Sequence, residues 1–361
     1  MRPIETPAWR LTADCIWTSF RSSGRKHLFL TGSRGSGKTT LLRKLGADRF
    51  PGLTSCAMPG KGVWLKENAT GAEAQIGIFD PDSDGTSNRM QPVAAGFETL
   101  GIPALQRCEK SDSEWVAIDE IGYLESEVPA YCAAVTKLLA KKRVVAAVRK
   151  QDTPFLSSLM TREDVFLLDL DAPFGNIGCV IMASGLGRRF GGNKLMADFH
   201  GKPMIDRCLA ATADVPRRVV VTRYPEVAEH CLENGVQPVL HDLPYRSDTV
   251  RLGIQALADT DACLFCPADQ PLLSRNTVDA LMLSSAAVPG KIRRPSFENE
   301  PGAPVLFPSW TYKDLASLPQ GKGGGYVVKK NPEQVCTIPV RDMYELKDVD
   351  TPEDLRVLLD R

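Results

Sequence analysis

Apolar and polar positions along the chain alternate with two periods, and that alternation starts afresh halfway along. In the first half, β-rich apolar runs at 27–31, 75–80, 115–119, 143–148 and 165–170 predict strands, and amphipathic stretches at 130–142 and 154–160 predict helices. Asp171-Ala172-Pro173-Phe174-Gly175-Asn176 breaks the pattern, and the order strand, loop, helix restarts at Ile177. Downstream, strands are expected at the apolar run 179–182 and at 218–222, 237–240, 262–266 and 335–340, with helices near 204–211, 249–257, 277–284 and 352–359. The last helix has Thr351 as its N-cap, Pro352 at its first position and two acids in its first turn. Strands alternating with helices predict parallel sheets wrapped by helices. The expectation is therefore α/β, two three-layer αβα domains at 1–172 and 177–361.

The length, 361 residues, suits two domains that each bury a core. Hydrophobic residues are 43% and charged residues 24%, and no apolar run reaches the length of a bilayer span or a signal-peptide core, so a cytoplasmic protein with no membrane partner is expected. Lys plus Arg and Asp plus Glu balance at 44 each, which removes the electrostatic reason to expect a nucleic-acid partner. Ten cysteines are scattered, and without a secretion signal they read as reduced thiols, many in cores. Cys263 and Cys266 form a CxxC, but on a strand residues three apart face opposite sides, so a buried strand is the better reading. His27, His200, His230 and His241 fall in no metal pattern and are taken as structural or surface residues. Between 60 and 91 the chain is rich in Gly, Asn, Asp and Ser, which suggests hairpin turns or a loop near a ligand.

Two glycine loops carry the chemistry. The first, Gly32-Ser33-Arg34-Gly35-Ser36-Gly37-Lys38-Thr39, follows an apolar run and opens a helix with Thr40, the context that makes GxxxxGK[ST] a phosphate-binding loop. Backbone N–H groups from Ser33 to Lys38 are placed to cradle phosphates, and the candidate nucleotide contacts run from Gly32 to Thr40. Lys38 meets the β and γ oxygens and Thr39 holds Mg²⁺. The run 115–119 ends in Asp119-Glu120, which supplies a second anchor for the metal in Asp119 and a general base for the attacking water in Glu120. Arg149, just past the strand 143–148, is a candidate to stabilise charge on a γ-phosphate, the alternative being an ordinary solvated arginine at a strand end.

In the second loop, Gly185, Gly187 and Gly191 let the backbone approach a triphosphate, and Arg189 and Lys194 can neutralise charge on a departing pyrophosphate.

The continuation Asp119-Glu120-Ile121-Gly122-Tyr123-Leu124-Glu125 resembles the Walker B region of the small P-loop nucleoside-triphosphatases over roughly residues 26–170. That resemblance implies hydrolysis of ATP, GTP or another nucleoside triphosphate. Residues 177–361 resemble the MobA-like nucleotidyltransferases, through Met182-Ala183-Ser184-Gly185, Leu186-Gly187-Arg188-Arg189-Phe190-Gly191, Lys194 and Gly201-Lys202-Pro203-Met204. Pro267-Ala268-Asp269-Gln270-Pro271 resembles the family's metal-binding segment, and Asp348-Val349-Asp350-Thr351-Pro352-Glu353-Asp354 its closing phrase.

The likeness implies a Rossmann-like domain with Mg²⁺ on Asp269 and Asp350. Its catalytic residues would be Arg189, Lys194 and Asp269, and Ala183, Ser184 and Thr249 would join the nucleotide contacts. It also implies cytidylyl transfer to molybdopterin or a related phosphorylated acceptor. Ser184 stands where cytidine-using relatives carry Ala and guanosine-using ones Gly, which favours CTP over GTP. Gly302-Ala303-Pro304-Val305-Leu306-Phe307 has Ala303 where the family has His or Asn, and Lys322 stands where Asp is usual. These departures keep alive a maturation chaperone serving a molybdenum hydroxylase, and the fold also serves sugar or polyol phosphates.

Overall fold

The computed structural model describes residues 10–58, 61–79 and 90–361. The chain divides into two compact units between Pro173 and Phe174, with one exchange: the segment Asp14–Ser23 groups with the second unit, although its place in the sequence assigns it to the first. Hydrophobic spacing gives that helix, Ala13–Ser22, a buried stripe of Cys15, Ile16 and Phe20. Ser19 Oγ donates to Ala280 O, and Arg341 pairs with Asp14.

The first unit holds eight strands: β1 His27–Thr31, β2 Gly52–Met58, β3 Gly62–Glu67, β4 Glu73–Phe79, β5 Met90–Pro92, β6 Trp115–Ile121, β7 Arg143–Val148 and β8 Val165–Asp169. They lie in the order β5-β4-β3-β2-β6-β7-β1-β8. The five strands from β2 to β8 are parallel, and β3, β4 and β5 extend the sheet as an antiparallel edge. All five residues of β1 are buried, the sign of a strand covered on both faces. Phe29, Ile118, Val144 and Ala146 join Phe97, Leu105, Tyr131 and Leu138 from the helices in one core. The expected strand 75–80 is β4, and its last residue, with most of the Gly- and Asn-rich stretch after it, lies outside the described residues. Strands β2 and β3 and the helix Ile102–Lys110 escaped the sequence reading.

The second unit holds β9 Ile177–Ala183, β10 Arg217–Thr222, β11 Gln237–Leu240, β12 Ala262–Pro267, β13 Ile292–Phe297, β14 Glu300–Pro301, β15 Val305–Pro308 and β16 Val335–Pro339. The order is β11-β10-β9-β12-β15-β13-β14, with β16 beside β13. Strands β11, β10, β9 and β12 are parallel, whereas β15 runs antiparallel to β12 and β13. Both units are thus α/β, but their sheets are mixed rather than purely parallel. Six of the seven residues of β9 are buried, and Val180, Cys263, Phe265 and Phe307 meet Ile254, Leu315 and Val327 in the core. Every cysteine among the described residues is a free thiol, and seven are buried. Cys263 sits in this core, while Cys266 turns away and its Sγ lies 3.6 Å from that of Cys208. Among the described residues no helix is long and apolar enough to cross a membrane.

Candidate functional sites

The first glycine loop runs from the end of β1 into the helix Lys38–Lys44. Gly32 has φ +145°, and a Cβ there would lie 2.7 Å from Ser36 Oγ, so the bend that starts the loop admits only glycine. Ser33, Arg34, Gly35, Thr39 and Thr40 are exposed, while Lys38 is buried to 8% exposure. The Lys38 ammonium donates to Gly32 O at 3.0 Å and Ser33 O at 3.1 Å and stands 3.7 Å from Glu120. Thr39 Oγ1 donates to Asp119 Oδ1 at 3.0 Å. Arg149 Nε lies 3.2 Å from the same Glu120 oxygen, so this carboxylate is bracketed by two cations.

The strand delivers these groups through an irregularity: Asp119 pairs with Ala147 and Ile121 with Val148, leaving Glu120 as the additional residue. Burial pushes the Asp119 carboxyl above its usual range, opposed by the Thr39 hydroxyl. Glu125 is 4% exposed and accepts from Gly122 N at 2.8 Å. Burial holds its carboxyl above the usual range too.

Asp171, where the alternation breaks, takes part in the loop. Its carboxylate accepts from Ser33 N at 2.9 Å and Ser33 Oγ at 2.8 Å, and Lys150 lies 3.3 Å away. The Ser33 N–H holds this carboxyl below its ordinary range. The motif says nothing of Asp171 or Lys150, although both follow strands that neighbour the loop.

In the second unit, the loop leaves β9 at Ala183 and turns on Gly187, where φ is +59° and a Cβ would sit 2.1 Å from Gly192 O. Ala183 and Thr249 are buried, at 1% and 3% exposure. The nearby helix cap falls to Asp248, which accepts from Tyr245 N at 3.0 Å. Lys194 is 8% exposed, and its ammonium donates to Asp269 Oδ2 at 2.6 Å, to Asp350 Oδ1 at 3.4 Å and to Val349 O. Arg189 donates to Asp350 Oδ2 at 2.8 Å, with its side chain 73% exposed. Residues far apart in sequence, Arg189, Lys194, Asp269 and Asp350, therefore meet at one spot where β12 ends. Thr351 Oγ1 accepts from Asp354 N and caps the helix Pro352–Leu359, which fixes the segment carrying Asp350.

Three residues outside the sequence motif join the loop. Arg223 Nε donates to Ser184 O at 2.9 Å, and Tyr224 Oη donates to Gly185 O at 2.9 Å. His241 Nε2 lies 2.8 Å from Ser184 Oγ. Of the histidines read as structural or surface residues, His241 thus supports the loop, whereas His27 is a core histidine. Burial lowers His27 to about 4, and its Nδ1 accepts from Val144 N. A signal was available: Arg223 and His241 follow β10 and β11, and ligands of open α/β sheets sit at the carboxyl ends of the strands.

Among the described residues no group of three or more His, Cys, Asp and Glu is arranged to hold a metal. Each site instead offers two hard oxygen donors, Thr39 with Asp119 and Asp269 with Asp350. That suits Mg²⁺, which keeps several waters and takes its remaining ligands from substrate phosphates.

Residues 27–173 match the family model described as NTPase, and residues 179–335 match the model of the MobA-like NTP transferase domain. A probable molybdenum cofactor guanylyltransferase of Bacillus licheniformis is 34% identical over 106 residues, which are 28% of this chain and 53% of that protein. The chain thus spans about half the length of that relative. The nucleoside-triphosphatase THEP1 of Thermotoga maritima is 26% identical over 159 residues, 40% of this chain and 86% of that protein. The solved molybdopterin-guanine dinucleotide biosynthesis protein A of Archaeoglobus fulgidus aligns at 17% identity and a TM-score of 0.42, covering 51% of this chain and 97% of that one. Each half carries its own sheet, its own glycine loop and its own match: the chain joins an NTPase-like half, residues 27–173, to a half similar to the MobA-like NTP transferase domain, residues 179–335.

Proposed function

We propose that the chain is a bifunctional nucleotide enzyme acting in molybdenum-cofactor biosynthesis or molybdoenzyme maturation. The first unit hydrolyses a nucleoside triphosphate, ATP or GTP. The second transfers a nucleotidyl group to molybdopterin or a related phosphorylated acceptor and releases pyrophosphate. The observation that carries the second half is the convergence of Arg189, Lys194, Asp269 and Asp350 beside a glycine loop, two cations and two carboxylates with no protein nucleophile among them. Such a set suits transfer by positioning and charge stabilisation.

In the first unit the loop N–H groups and Lys38 bind the phosphates, and Thr39 with Asp119 would hold Mg²⁺. Glu120 takes the proton of the attacking water, and Arg149 orients Glu120. In the second unit Asp269 and Asp350 would hold the metal, which when bound neutralises charge on the phosphate oxygens. Lys194 fixes both carboxylates, and the exposed Arg189 meets the triphosphate. The acceptor's phosphate oxygen attacks the α-phosphorus in line as the bond to pyrophosphate breaks.

Two observations bear on the base. The resemblance at position 184, where cytidine-using relatives carry Ala and guanosine-using ones Gly, favours CTP without implying a contact from Ser184 to the base, and the name of the Bacillus licheniformis relative favours GTP. A non-catalytic reading of the second unit, as a maturation chaperone for a molybdenum hydroxylase, draws on Ala303 and Lys322. Pyrophosphate release measured with molybdopterin and CTP or GTP in parallel decides these points. Release with either nucleotide supports the enzyme and names its base, and nucleotide binding without release under any acceptor condition replaces it with the chaperone.

A further inference from the structure

We infer that Arg223, Tyr224 and His241 are positioning residues of the second glycine loop, and that Ser184 is a strut of this clamp rather than a reader of the nucleobase. The inference rests on the nucleotide-binding reading of this loop. A glycine loop binds phosphates with backbone N–H groups, and it can do so only if its carbonyls are turned away from the anion. Here the two carbonyls at the start of the loop are both held by side chains of the neighbouring strand's end. Arg223 Nε donates to Ser184 O, and Tyr224 Oη donates to Gly185 O, each at 2.9 Å. Arg223 also spans to the next strand's end, its second nitrogen donating to Leu243 O at 3.0 Å. One guanidinium thereby ties the ends of β9, β10 and β11 together.

The hydroxyl of Ser184 is committed by the same network. Its oxygen lies 2.9 Å from Val221 O, and since a carbonyl only accepts, the single hydroxyl proton points there. Ser184 Oγ must then accept from His241, which fixes the imidazole with its proton on Nε2. Burial and the Arg223 charge both lower the His241 pKa, in keeping with a ring held neutral in this contact. With its proton spent on Val221 O, Ser184 has no donor left for the edge of a base. Base choice must then rest on other groups, and the contribution of Ser184 is to hold the loop's entry against β10 and β11.

The test measures equilibrium binding of CTP and of GTP with Mg²⁺ in excess, in a Lys38→Ala background so that the first loop does not contribute. Tyr224→Phe removes one hydroxyl and should weaken both nucleotides by the same factor, about 2- to 10-fold, the worth of one hydrogen bond. Because that tyrosine's hydroxyl is at an exposed position, the ligand-free unfolding midpoint should stay unchanged, which a merely structural role would not allow. Arg223→Lys keeps the charge but cannot bridge two carbonyls, and should weaken both nucleotides alike. Ser184→Ala should lower affinity while leaving the CTP-to-GTP ratio within about twofold, a tenfold shift in discrimination being the size expected when a base-reading contact of about 1.4 kcal/mol is lost. Wild-type affinity in Tyr224→Phe, or a tenfold change of ratio in Ser184→Ala, overturns this inference and leaves the nucleotidyltransferase reading standing. A parent that binds neither nucleotide overturns that reading, and this inference with it.

Discussion

Lys194 offers the sharpest test of how the second site is built. Read from sequence it is a cation facing a triphosphate, but its ammonium is 8% exposed and is spent on Asp269, Asp350 and the carbonyl of Val349. Replacing it by Met keeps the volume and removes the charge. The Val349 carbonyl, on a residue that is fully buried, then loses its donor, which costs about 1–3 kcal/mol for an unpaired buried polar group. Loss of the ion pair with Asp269, whose side chain is 25% exposed, adds about 1 kcal/mol, while Asp350 at 42% contributes little because solvent screens it. Together Lys194→Met should destabilise the second unit by about 2–4 kcal/mol, or about 4–16 °C in its melting temperature for a unit of this size. Arg189→Ala is the matched control, since its side chain is 73% exposed and its one pair is worth under about 1 kcal/mol. The measurement is differential scanning calorimetry of the full chain, following the transition of the second unit. Equal shifts in the two variants, or a Lys194→Met shift below about 2 °C, would refute the keystone role.

Other outcomes follow from the same geometry. Lys38→Ala should abolish nucleoside-triphosphate hydrolysis while CTP or GTP binding at the second loop persists, and hydrolysis at the parental rate would sink the first-site assignment. Asp269→Asn should eliminate pyrophosphate release yet leave hydrolysis by the first unit intact, checked by assaying both activities on one preparation. Glu125 is a buried carboxyl whose folded pKa is raised above its ordinary 4.5 by burial. The stability tied to its proton is therefore complete below that value and is lost as pH rises through the folded pKa. Glu125→Gln, which can still accept from Gly122 N, should gain on the parent as pH increases from 4.5, and an advantage that instead grows as pH falls would contradict this. A fragment of residues 177–361 lacks Asp14–Ser23, whose Ile16 and Phe20 are buried. At about 1.5–3 kcal/mol for each such side chain, restoring residues 10–23 in trans as a peptide should raise the fragment's melting temperature. A fragment already as stable as the second unit in the full chain would show that helix to be dispensable.

Local chemistry determined a great deal here without any fold. The GxxxxGK[ST] spacing between a strand and a helix fixes a phosphate loop because its glycines permit the bend and its backbone donors must point somewhere. The apolar run ending in Asp119-Glu120 announced two carboxylates at a strand end, and Thr351-Pro352-Glu353-Asp354 announced a helix start, because strand period and capping are properties of a few neighbouring residues. Long-range pairing is of another kind. Nothing in the local pattern near Ala13–Ser22 says that this helix packs with Ala280, some 260 residues on, since an amphipathic stripe specifies that a face is buried and not what buries it. The edge strands β3, β5 and β13–β15, and the antiparallel direction of β4, escaped for the same reason, as strand direction is set by which edge is open when the strand arrives. The roles of Lys194, Arg223, Tyr224 and His241 were likewise decided by tertiary structure alone: each is a donor whose acceptors come from segments distant in the sequence. A hydrogen bond is a matter of ångströms, and only the folded sheet brings those ends within reach.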